Sequence, residues 1–213
     1  MSNATFPLLQ VSELSFAYPG RPIVEDWSQD LGPGITLLSA PDGAGSSTLL
    51  KLIGGALAPA SGRLIAAGLD AAIDPQPYGR QVFAFDSELQ AFQQQTALDY
   101  FDHVRSRHAQ REPGQWERHI AGFKLESHLH KPMYMLSTGT RRKVGLTAAL
   151  TVQVAVCLLD EPLAALDLPS IRHLAAALAE YAAAGGTAWL IASHEPLPDH
   201  LPVHATIEFT RIP

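Results

Sequence analysis

Short apolar runs with strand-type patterning alternate along this chain with longer segments of helical period. Residues 8–18 alternate apolar and polar side chains, the period of a half-buried strand. Pro19, Gly20, Arg21 and Pro22 then turn the chain. A short apolar strand is expected over 35–39, followed by a glycine-rich loop and a helix over 47–53 that Gly54 and Gly55 end. Residues 63–67 and 82–85 are further strand candidates. Thr96 is placed to cap a helix over 97–107, Pro113 and Gly114 break it, and another begins over 115–123. Residues 154–159 are continuously apolar, as in a strand covered on both faces. Pro169 opens a helix to 184, Gly185 and Gly186 stop it, and strands are expected over 187–192 and 205–209. This alternation predicts an α/β layer fold. A helical insertion is expected at about 86–136, within a single domain spanning 1–213.

Composition narrows the function classes. The 213 residues are 46% apolar and 17% charged, below the roughly 25% charged of an average globular chain, which excludes a disordered polyelectrolyte. A formal net charge of −6 gives no electrostatic reason for a nucleic-acid partner. The one cysteine, Cys157, excludes a disulfide framework and fits a reducing compartment. No apolar run matches a membrane span: the longest, 174–192, contains Glu180 and is cut by Gly185 and Gly186. Residues 1–10 lack the basic flank of a signal peptide. The expectation is a soluble, cytoplasmic chain.

The glycine-rich loop carries candidate chemistry. Asp42, Gly43, Ala44, Gly45, Ser46, Ser47 and Thr48 lie between a strand and a helix. Consecutive backbone N–H groups in such a turn form an anion nest, and the helix N-terminus adds about half a positive charge. Phosphate is the natural ligand. The phosphate-loop pattern G-x-x-x-x-G-K-[ST] is nonetheless broken twice, by Ala40 at the first glycine and Ser46 at the lysine. A plain strand-to-helix turn is the competing reading of this segment. Further on, the apolar run at 155–159 ends in Asp160 and Glu161. Adjacent acids in that place hold a metal and orient a water in nucleotide hydrolases.

Taken in order, these segments resemble the nucleotide-binding domain of the ABC ATPase family. Ser137, Thr138, Gly139 and Thr140, after Leu136 and before Arg141-Arg142-Lys143, resemble the family's signature loop and helix. Glu161 to Asp167 resembles the acid pair running into the D-loop, His194 after a buried strand resembles the switch histidine, and Tyr18 resembles the aromatic that stacks on adenine. The resemblance implies a P-loop NTPase fold of ABC type, with a central mostly parallel sheet, an antiparallel β subdomain and a helical insertion. It also implies ATP and Mg²⁺ as cofactors, with Ser47 and Asp160 as metal ligands and Glu161 and His194 as catalytic groups. A separate transmembrane permease subunit is implied, as is a homo- or heterodimer in which one chain's signature loop closes the other's site. The protein would then sit in the cytoplasm, peripheral on the inner face of the membrane.

Two departures from the family pattern matter. Ser46 lacks the charge of the expected lysine, which removes roughly 10- to 150-fold in affinity and more in turnover. Lys51, further along the helix and facing away from its N-terminus, is no obvious rescue. Asp86 or Ser87 stands where the family carries its Q-loop glutamine, with Gln90 close by. Two functions therefore stay open: an ATP-binding transporter subunit with weak hydrolysis, or a non-hydrolysing regulatory or heterodimer partner. His119, His128 and His130 read as solvated helix residues ahead of a metal site, and Arg141 to Lys143 as a solvated helix face. Cys157, Trp27 and Trp189 read as packing residues.

Overall fold

The computed structural model describes residues 7–87 and 89–210. The segment read as lacking a signal peptide lies mostly outside them. Two sheets organise the chain. The first is antiparallel, in the order β2-β1-β4-β5, with β1 at Leu9–Tyr18, β2 at Arg21–Leu31, β4 at Ser61–Ala66 and β5 at Leu69–Asp70. The second contains β3 at Gly34–Ser39, β6 at Val82–Ala84, β7 at Val156–Asp160, β8 at Ala188–Ser193 and β9 at Val203–Glu208. Its order is β6-β7-β8-β3-β9, and each described pairing is parallel.

The helices are α1 at Ser46–Ile53, α2 at Pro75–Gln81, α3 at Ala97–Arg107, α4 at Gln115–Gly122, α5 at Thr138–Thr151 and α6 at Leu168–Ala184. α1 turns Leu49, Leu50, Leu52 and Ile53 inward, a stripe at helical spacing, and packs on β7. α3 starts at the expected cap: Thr96 accepts from the Asp99 N–H while the Asp99 carboxylate accepts from the Thr96 N–H. Every residue of β8 is buried, as are the first four of β7, which explains their unbroken apolar runs.

β2, α2 and the two-residue β5 lie outside the elements expected from the sequence. The turn is confined to Pro19 and Gly20, and Arg21 and Pro22, expected in it, instead open β2. Its pairing with β1 shifts register at several points and Asp26 adopts a φ of 46°, so no clean alternation survives in the sequence. α2 contains Pro75, Pro77 and Gly79, which hide a helix from propensity.

The readings of the histidines and the arginine run need correction. His119 is fully buried, not solvated. Its ring contacts His173 Nε2 at 3.0 Å and the Tyr181 hydroxyl at 2.7 Å, tying α4 to α6. Arg142 is also buried, so Arg141 to Lys143 is not simply a solvated face. Cys157 and Trp189 are core residues, and Trp27 packs edge-on against Phe209.

Register places the chemistry at one edge. Ser39 pairs with Ser193, and Asp160 with Ala192, so β3, β7 and β8 end side by side. The segments that follow them bring the glycine-rich loop, Glu161 and His194 together. The carboxyl edge of a parallel sheet is where such folds bind ligands.

Candidate functional site

The loop after β3 is shaped by its glycines. The Ala44 N–H donates to the Pro41 carbonyl, and Gly43 and Gly45 adopt φ of 73° and 107°. A Cβ on Gly45 would lie 2.6 Å from Ile23 Cγ2, so β2 packs against the loop where only glycine fits. No side chain caps α1 at Gly45. The first N–H groups of the helix therefore stay available to an anion.

Tyr18, Arg21, Ile23, Gly43, Gly45, Ser46, Ser47 and Thr48 line one pocket of about 210 Å³. Tyr18 is 39% exposed there and meets Phe16 edge-on. Arg21 pairs with Tyr18 across the β1–β2 hairpin, and its Nη2 donates to the Gly43 carbonyl at 2.7 Å.

On the other side of Ser47 lies a cavity of about 580 Å³, whose walls include Ser47, Lys51, Asp86, Ser87, Gln90 and Asp160. Ser47 and Asp160 stand on the same cavity wall. Burial raises the Asp160 pKa, Ser47 partly offsets this, and the neighbouring Glu161 raises it further. A half-buried carboxylate beside a hydroxyl is a hard-oxygen pair that fits a magnesium ion. Lys51 shares this wall, and its charge acts on Asp160. It therefore addresses the acid side of the site rather than the pocket lined by Tyr18.

Glu161 and His194 form the second pair. The His194 Nδ1 lies 2.8 Å from Glu161 Oε1, and the same oxygen accepts the His194 backbone N–H at 2.9 Å. Glu161 itself has a φ of 46°, a left-handed conformation uncommon for a side-chain-bearing residue. The hydrogen bond that His194 donates to Glu161 raises the His194 pKa, and Asp42, 3.9 Å from its Nδ1, adds to the effect.

Ser137, Thr138, Gly139 and Thr140 line neither cavity. Ser137 caps α5 by accepting the Thr140 N–H at 3.2 Å. A Cβ on Gly139 would stand 2.6 Å from the Ala165 carbonyl oxygen, so this loop sits against the segment leading to Asp167. Asp167 caps α6 through the Ser170 N–H at 2.9 Å and pairs with Lys143 at 2.5 Å. The Lys143 bond, with those from Ser170, holds its carboxyl well below the usual carboxylate range. Buried Arg142 donates to the Glu161 carbonyl and, at 3.5 Å, to that of Asp160. The signature helix is thus bonded to the backbone that carries both acids.

Sequence reasoning missed Arg21 and Arg142. The sequence places Arg21 in a turn, although a cation three residues after Tyr18 is a visible signal. Arg142 was masked by the cations on either side of it.

The comparisons with known proteins agree with this geometry. The family model described as ABC transporter matches residues 26–164. The cytochrome c biogenesis ATP-binding export protein CcmA of Cupriavidus pinatubonensis is 33% identical over 203 residues, covering 92% of this chain and 87% of that protein. The thiamine import ATP-binding protein ThiQ of Salmonella typhimurium is 35% identical over 171 residues, covering 78% and 71%. Among solved structures, an ATP-binding subunit of an ABC transporter superposes with a TM-score of 0.77 at 25% identity, covering 87% of this chain and 79% of that one. The dimeric cassette MJ0796 bound to ADP and phosphate shares the fold, with a TM-score of 0.75 at 16% identity and 88% of each chain covered. An anion-ready loop, an acid pair and a histidine at one sheet edge, in a chain so matched over most of its length, place it in the ABC transporter family as an ATP-binding protein.

Proposed function

We propose that this chain binds Mg-ATP weakly, hydrolyses it slowly, and couples nucleotide-driven dimer closure to a separate permease on the inner face of a membrane. The observation that carries the reading is the coexistence of an intact Ser47–Asp160 and Glu161–His194 arrangement with Ser46 in place of the loop lysine. Among the described residues no helix is long and apolar enough to cross a membrane, which fits a permease supplied by other chains. The whole chain serves as one cassette, with residues 86–136 as its helical part.

Each residue has a role in this reading. Tyr18 presents a ring face to the adenine. The N–H groups from Gly43 to Thr48 surround the phosphates, and the Ser46 hydroxyl donates without charge. Ser47 and Asp160 would hold a magnesium ion, whose charge would offset that of the phosphates. Glu161 orients the attacking water and accepts its proton, and His194 contacts the terminal phosphate. Ser137, Thr138, Gly139 and Thr140 close the site of a second cassette, positioned by the Gly139–Ala165 contact, while Asp167 orders the D-loop. Asp86 and Ser87 take the Q-loop position, and Gln90 lines the same cavity as Ser47 and Asp160. The relatives named as cytochrome c biogenesis export proteins favour an export-type transporter.

A second reading is a partner cassette that lends its signature loop and does not hydrolyse. Ser46 and Asp86 favour it. The retained Glu161–His194 pair favours the first reading, since a protein that never hydrolyses has no need of a water-orienting acid. Calorimetric titration with Mg-ATP, together with sizing with and without nucleotide, tests the proposal. Saturable binding and ATP-dependent dimerisation are expected. No binding at millimolar ATP contradicts it.

A further inference from the structure

We propose that Arg21 supplies the phosphate-binding cation that the loop lacks at position 46. This rests on the nucleotide-binding reading above and adds a residue to it. Arg21 stands on the wall of the pocket that contains Ser46 and Ser47, anchored by one donor to the Gly43 carbonyl. A guanidinium has five N–H donors in a fixed fork. Among the described residues no carboxylate or second hydrogen bond pairs with this one. The anchor holds the group beside the loop, and the remaining donors are left for phosphate oxygens, the acceptors that guanidinium geometry suits best.

The other cations near the site are committed elsewhere. Arg142 is buried on the Asp160 and Glu161 carbonyls. Arg141 donates to the Leu136 carbonyl at 2.7 Å. Lys143 is paired with Asp167, and Lys51 lines the cavity on the far side of Ser47 with Asp160. His194, held by Glu161 through Nδ1, already has the terminal phosphate as its part in the reading above. Arg21 is therefore the cation that shares a pocket with the nest and has capacity to spare. It reaches the phosphates from the adenine side, next to Tyr18, rather than from within the loop. Such a cation strengthens binding of the whole polyphosphate chain and leaves much of the turnover defect of Ser46 in place.

The experiment is a double-mutant cycle read as affinity for ATP, ADP and adenosine by calorimetry, in native, Arg21→Gln, Ser46→Lys and doubly substituted protein. In the native background, Arg21→Gln is expected to weaken ATP about tenfold, the low end for a charge-assisted bond because the side chain is exposed. Adenosine should be unaffected. With Ser46→Lys present, the loop has its own cation and the Arg21→Gln penalty should shrink to a few-fold or less. An equal penalty in both backgrounds would show that Arg21 only shapes the loop through Gly43, and would overturn the proposal. So would an unchanged ATP affinity in native Arg21→Gln. Failure of the native protein to bind ATP at all would overturn the nucleotide reading itself, a result distinct from the other two.

Discussion

Glu161 Oε1 accepts two hydrogen bonds from His194, one from the backbone N–H at 2.9 Å and one from Nδ1 at 2.8 Å. One acid thus sets both the position and the protonation of the histidine. Because the pKa of His194 is raised, its charged form persists above the usual titration range near 6.5. The stabilisation this pair contributes is complete below the unfolded pKa and is lost as pH rises through the folded one. NMR titration of His194 should show a raised midpoint in the native protein, returning toward 6.5 in Glu161→Gln. An identical midpoint in the two proteins would contradict the pairing.

Glu161→Gln should also remove the proton acceptor while keeping the shape of the site. Any basal phosphate release should fall by about 10²-fold or more, the lower bound for a general base, with ATP affinity little changed. A parallel loss of affinity and turnover would place Glu161 in binding rather than chemistry.

The buried His119 gives a second pH dependence of opposite sign. Burial drives its pKa down to about 3, with repulsion from His173 and Arg118 adding to the effect and Glu180 opposing it. The unfolded chain binds a proton near pH 6.5 that the folded chain refuses until about 3. Stability present above 6.5 is therefore lost as pH falls toward 3, by up to about 1.4 kcal/mol per pH unit for one proton. Urea unfolding at stepped pH should show this slope, and His119→Phe should flatten it. A slope that survives the substitution would assign the protons to other groups.

Asp167→Ala should cost about 0.5–2 kcal/mol through loss of the α6 cap. Because its carboxyl is held below the usual range, the contribution is present at neutral pH and fades as acid protonates the group. Comparing urea midpoints of native and substituted protein at pH 7 and at low pH checks this. A gap that stays constant into strong acid would contradict it.

Gly45→Ala should be costly in a different way. Its φ of 107° and the 2.6 Å approach to Ile23 leave no room for a Cβ. A loss of roughly 1–3 kcal/mol is expected from the backbone conformation alone, with nucleotide affinity falling as the loop shifts. Chemical denaturation and titration of one variant check both effects.

Much of this site was legible before the structure. The alternation of apolar runs located β1, β3, β7 and β8, and the Thr96 and Pro169 signals located α3 and α6. The order of Tyr18, the glycine-rich loop, Ser137, Asp160, Glu161 and His194 was enough for the family. What escaped depended on long-range packing. β2 is broken by register shifts, so its pattern is blurred where it presses Ile23 onto Gly45. The burial of Arg142 arises from carbonyls of a strand end that folds back on α5. His119 looks solvated in sequence because its partners, His173 and Tyr181, lie on α6.

The most direct test is phosphate release from Mg-ATP by the native protein, run beside Ser46→Lys. The account predicts slow native turnover, below the roughly 1 s⁻¹ common among enzymes, and a clear increase when the lysine is supplied to an otherwise complete Ser47–Asp160 and Glu161–His194 site. Native turnover at ordinary enzymatic rates, unchanged by Ser46→Lys, would contradict it.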